Sequence, residues 1–120
     1  MMTGESKTAL HCIEGRELEA ITFVRDYLQL HFEGPRLNAY VWPVVVVGRA
    51  RCPVGGGGYR DELCARIGCV VNSAQEVPGE YIRLSFSDGS AIEVSLRDED
   101  RSGPEALLLD DGVGKVWNVW

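Results

Sequence analysis

The sequence predicts a mainly β domain: two related β-meander units forming a curved sheet, roll or open barrel, with one short helix between them and a C-terminal β-hairpin. An α+β arrangement is the alternative. Three observations carry this. Apolar and polar residues alternate in YLQLHFE (27–33) and again in YIRLSFS (81–87), the period of a strand with one face on a core. The stretches that begin at Gly15 and Gly68 resemble each other: Gly15 aligns with Gly68, Tyr27 with Tyr81, Leu30 with Leu84 and Phe32 with Phe86, and Leu10 matches Leu63 upstream. Between the two units, the run PVGGGG leads into YRDELCARIG, a linker followed by a short helix with acidic residues in its first turn.

Taken in order, unit one spans about residues 8–51, the glycine-rich linker 53–58, unit two about 59–101 and the C-terminal hairpin about 105–120. A chain of 120 residues makes a single domain that buries roughly two-thirds of its unfolded surface. Each unit opens with a short helix or turn before its glycine and continues as strand, strand, turn, strand, which with the hairpin gives about eight or nine strands. Asp61 is the expected cap of the helix.

In unit two, a loop of Ser87, Asp88 and Gly89 suits a type I turn followed by a left-handed glycine. It sets Leu84 opposite Ile92 and Ile82 opposite Val94 on the core face, and Arg83 opposite Glu93 outside. In unit one, a loop of Glu33 to Arg36 sets Leu30 opposite Ala39 and Leu28 opposite Val41, and outside it pairs Tyr27 with Trp42, Gln29 with Tyr40 and His31 with Asn38. The outer faces therefore differ: unit two is polar, and unit one is aromatic and continues into the apolar run Val44 to Val47. Such a run is expected where both faces of a strand are covered. The expected cover is the C-terminal hairpin with Trp117 and Trp120, ahead of a second copy of the chain or a heterologous partner. If that face is free, Tyr27, Gln29, His31, Asn38, Tyr40 and Trp42 form the candidate recognition surface, because interfaces favour tyrosine and tryptophan with a few polar groups.

Charge and motif spacing narrow the function classes. A net charge of −6 with scattered arginines is the wrong sign for nucleic acid, which is held by a basic surface. The metal-ligand candidates, His11, His31, Cys12, Cys52, Cys64 and Cys69, show none of the close pairs of a zinc site. No glycine-flanked serine elbow is present, and the carboxylates of RDEDRSGPE (97–105) alternate with arginines as in a solvated loop. The glycine run has neither a P-loop lysine nor a dinucleotide fingerprint, and Asp61 and Glu62 would repel a phosphate. No catalytic residue, metal or cofactor is assigned, and Cys64 is read as a small core residue of the helix. The opening MMTGESKTALHC lacks a signal-peptide pattern, and no apolar run is long enough to span a bilayer. The expected setting is the cytoplasm, with reduced cysteines.

The repeated pattern of glycine, then Tyr27 or Tyr81, then L-x-F before a turn resembles small bacterial β-rich domains of uncharacterised families, over about residues 8–97. The resemblance implies a duplicated β domain and, from some such families, an immunity-type protein that binds and neutralises a toxin; it carries over no catalytic residue. The expected function is a non-enzymatic binding module for a protein partner or a second copy of itself. The alternative is a small-molecule-binding protein or enzyme with a cavity between the two units, with His31 and Cys64 as the first residues to test.

Overall fold

The computed structural model describes residues 9–120. The start of unit one and most of the opening segment read above for targeting lie outside the described residues. A 3-10 turn, Ala9–Ile13, leads into β1 (Ala20–Phe23), β2 (Leu28–His31), β3 (Arg36–Ala39), β4 (Val44–Val47) and β5 (Ala50–Cys52). Helix α1 (Tyr59–Cys64) then opens the second half, followed by β6 (Val71–Val77), β7 (Tyr81–Phe86) and β8 (Ala91–Ser95). After a second 3-10 turn, Asp98–Asp100, the chain ends in β9 (Leu107–Asp110) and β10 (Val116–Val119). The domain is mainly β: two five-stranded antiparallel sheets that do not close into a barrel. The strand beyond the expected number is β5, which Gly48 makes room for: at φ +62 it turns the chain so that Ala50 pairs back with Val47.

The order of helical turn, three-strand meander and two-strand hairpin occurs twice, and the hairpins are exchanged. The first sheet runs β1-β2-β3-β9-β10 and the second β5-β4-β8-β7-β6. The meander of each half is thus completed by the hairpin of the other. Around the crossing point, Gly15 N–H donates to the Val71 carbonyl (2.8 Å) and Gly68 N–H to that of Leu18 (2.7 Å). Leu18 N–H donates to Cys69 and Val71 N–H to Arg16, both at 2.9 Å. Each bond has its counterpart with the halves interchanged, and the isolated bridge Glu17↔Val70 pairs equivalent positions. Those relations are what a local two-fold axis through that bridge requires.

Alternation decides which residues enter the single core. Leu28, Leu30, Leu37, Leu107 and Leu109 from the first sheet meet Val45, Ile82, Leu84, Ile92 and Val94 from the second. Leu10 and Leu63, from the two helical segments, are fully buried. Each such side chain contributes roughly 1.5–3 kcal/mol by leaving water. The helix is short because its buried face holds only Tyr59 and Leu63. Cys64 falls on the solvent side and is exposed rather than a core residue, and the N-cap is Gly58 at φ +79, with no side-chain cap from Asp61.

The second hairpin has the expected register: Ile82↔Val94, Arg83↔Glu93 and Leu84↔Ile92, with Gly89 at φ +90. The first hairpin differs from the expected one. Glu33 (φ +58) and Gly34 (φ +126) form a two-residue turn closed by Phe32 N–H on the Pro35 carbonyl at 2.9 Å. The register is then Leu28↔Ala39, Gln29↔Asn38, Leu30↔Leu37 and His31↔Arg36. It is shifted by two positions, which preserves the inward set and changes every partner. The C-terminal hairpin does not cover unit one either. It joins the edge of the first sheet through Leu37↔Leu109 and Ala39↔Leu107. The valine run belongs to the other sheet, where Val45 pairs with Cys52 on one side and Ile92 on the other.

On the outer face of the second sheet, Glu93 receives Arg51 at 2.8 Å and also Arg83. Burial pushes its carboxyl pKa up, but hydrogen bonds and charge from both arginines outweigh that and hold it below the ordinary value of 4.5. A carboxylate depressed on folding stabilises the protein fully above its unfolded pKa, and that contribution fades as pH falls through the folded value. Glu93→Gln is therefore expected to cost about 1–2 kcal/mol at neutral pH and much less near pH 3, as read by urea denaturation at the two pH values. An equal loss at both would contradict the assignment. Among the described residues, no helix is long and apolar enough to cross a membrane.

Candidate functional site

The outer face of the first sheet is built from residues that alternate away from the core. The registers align Thr22, Gln29, Asn38, Leu108 and Val119 in one row, and Ala20, His31, Arg36, Asp110 and Val116 in the next. Thr22 Oγ1 and His31 Nε2 are 2.9 Å apart. Arg36 donates to Asp110 at 3.0 Å, and the same carboxylate accepts Gly112 N–H at 2.8 Å. Asn38 is buried, and its Oδ1 has no hydrogen-bond partner among the described residues. Tyr27 and Tyr40 lie side by side, with ring centroids 5.1 Å apart at 47°.

Five of the six expected face residues therefore share this surface, in other pairings: Gln29 opposes Asn38, His31 opposes Arg36, and Tyr27 meets Tyr40. Trp42 leaves it. The chain crosses to the second sheet after β3, and Trp42 packs against the core and faces a groove instead. The surface gains Leu108 and Val119, and it ends on an open edge, β10. There Val116 is 50 % exposed, Trp117 39 % and Val119 44 %. Trp120 and Leu107 exchange both backbone hydrogen bonds, so the antiparallel alternation turns the N–H and C=O of Val119 outward. No charge occurs from Val116 to Trp120. The equivalent strand of the other half, β5, carries Arg51 paired to Glu93.

The open groove at Trp42 has a volume of about 780 Å3 and is lined by Phe23, Val24, Arg25, Trp42, Val54, glycines of the linker, Tyr59, Arg60 and Asp61. Tyr59 anchors it by donating its hydroxyl to the Pro43 carbonyl at 2.6 Å, and burial pushes that phenol up to about 12. The linker thus forms the wall of the groove. Of its lining, only Trp42 belonged to the expected face; Phe23, Arg25 and Arg60 follow no shared period, and only the turn-to-helix junction VGGGGYR hinted at the place.

Two of the thiols are shifted away from activation. Burial raises the Cys12 thiol, partly opposed by Arg16, and burial with an Asp88 hydrogen bond raises Cys69, the reverse of an activated thiolate. Among the described residues, no three His, Cys, Asp or Glu side chains gather where they could hold a metal ion. Compared with known proteins, the chain matches no family model, no curated protein and no solved structure.

Proposed function

We propose that this protein is a non-enzymatic interaction module that binds another polypeptide by adding a strand to the β10 edge, with the outer face of the first sheet as the flanking surface. The observation that supports it most is the exposed β10 edge, which carries no charged side chain. Exposed edge strands pair with other chains unless charge, proline or a bulge blunts them. A register shift sits between Val116 and Asn118, but the strand has no charge, whereas its counterpart in the other half has an arginine held by a glutamate.

The partner that best complements VWNVW is a second copy of it. Antiparallel pairing centred on Asn118 sets Val116 against Trp120 and Trp117 against Val119, so apart from Asn118 every cross-strand pair is aromatic with β-branched. Such pairs are worth roughly 0.2–1 kcal/mol each. A cytoplasmic setting goes with this reading, supported by four free cysteines. Sedimentation velocity over a dilution series should show a reversible dimer for the wild-type chain and a monomer of unchanged circular dichroism for Val119→Lys. A wild-type chain that is monomeric throughout, or a variant that assembles equally well, would overturn the reading.

A further inference from the structure

We propose that the groove between Phe23, Trp42 and the linker is a binding site for a small aromatic acid, a planar ring system carrying one anionic group. It shares no residue with the β10 edge and stands apart from the reading above.

Size comes first: 780 Å3 lies within the roughly 300–1,000 Å3 of small-molecule sites. Its lining includes three large apolar side chains, Phe23, Val54 and Trp42. Phe23 is 39 % exposed, Val54 50 % exposed and Trp42 half-buried. Accessible aromatic surface of this kind can pack against a planar ligand.

The charge pattern selects an anion. Six arginines (36, 51, 66, 83, 97 and 101) lie within ion-pair distance of carboxylates, and Arg16 bonds backbone carbonyls. Of the three other arginines, Arg25, Arg49 and Arg60, none makes an ion pair among the described residues, and two of them, Arg25 and Arg60, line the groove. The Arg60 guanidinium lies over the Phe23 ring, 5.6 Å from its centroid, a cation–π contact that holds the cation in the groove and covers one face of that ring. In a protein of net charge −6, two arginines that make no ion pair at one mouth form a local positive spot. Asp61 is the only acid in the lining, so the arginines outnumber it by one. That balance suits a monoanion, and the apolar walls favour a ring over a bare phosphate.

The test uses the full chain with 8-anilinonaphthalene-1-sulfonate as an aromatic anion, N-phenyl-1-naphthylamine as its uncharged counterpart, and inorganic phosphate as a competitor. Fluorescence titration should give one anion bound per chain. Arg25→Gln and Arg60→Gln should each weaken it by about tenfold and leave the weak binding of the neutral amine unchanged, with near-ultraviolet dichroism as the check on folding. Val119→Lys should leave the anion's affinity unchanged. The proposal is overturned if the double arginine variant binds the anion as the wild type does, if the neutral amine binds as tightly, if phosphate displaces the anion, or if Val119→Lys abolishes binding.

Discussion

Gly112→Ala should destabilise the protein by about 3 kcal/mol, enough to lower Tm by roughly 10 °C or more in a chain of this size. Gly112 sits at φ +88 in the β9–β10 turn, against the β2–β3 turn, and an added Cβ would overlap the backbone carbonyl of Gly34. The crowding has a structural cause. The pairing Arg36↔Asp110 brings the two hairpin ends side by side, and Asp110 holds both, through Arg36 and through Gly112 N–H. Since the obstacle is backbone, no side-chain rotation relieves it. Left-handed strain of about 1 kcal/mol adds to an overpacking cost of about 1–3 kcal/mol. Gly114 provides the control: it has φ +118 but nothing within 4 Å of the added Cβ, so Gly114→Ala should cost only the strain. Denaturant midpoints measured for the two variants separate the terms; equal losses would refute the steric account.

What the sequence revealed of this fold depended on whether a signal was local. The Ser87-Asp88-Gly89 turn and the alternation around it determined one hairpin completely, because a loop of Asp88 and Gly89 alone would set Leu84 against Glu93 and put a charge on the core face. The same reasoning missed the Glu33-Gly34 turn: a glutamate at φ +58 is an uncommon choice that composition does not announce. The error was an even number of residues, so Leu28, Leu30 and Phe32 still faced inward and five of the six expected face residues still shared a surface. Trp42 was misplaced for a different reason. Alternation says which residues seek a core but not which sheet they join, so the crossover after β3 and the exchange of hairpins had no local signature. The groove depended on that crossover, since it unites Phe23 of one strand end with Arg60 of a helix far along the chain.

The exchange also predicts that neither half folds alone. A protease site inserted next to Gly57, which is not left-handed and where an added side chain meets nothing within 4 Å, allows the folded chain to be cut at its seam. The cut protein should stay assembled, because β3 remains paired with β9 and β4 with β8. Once separated in denaturant, the first half would lack β8 and β9 and expose Leu37 and Val45, which are fully buried in the whole chain. The second half would lose the covers of Leu109 and Ile92 in the same way. Removing one side of a shared core exceeds the roughly 5–15 kcal/mol by which a domain of this kind is stable. After dialysis, each half should therefore show a coil-like far-ultraviolet spectrum as a monomer. Equimolar mixing should restore the native spectrum, with a midpoint that now depends on concentration because the association has become bimolecular. A half that refolds as a monomer with a strand-rich spectrum would show that its meander needs no exchanged hairpin, and the two-fold arrangement would then be an incidental feature of the packing rather than what holds the core together.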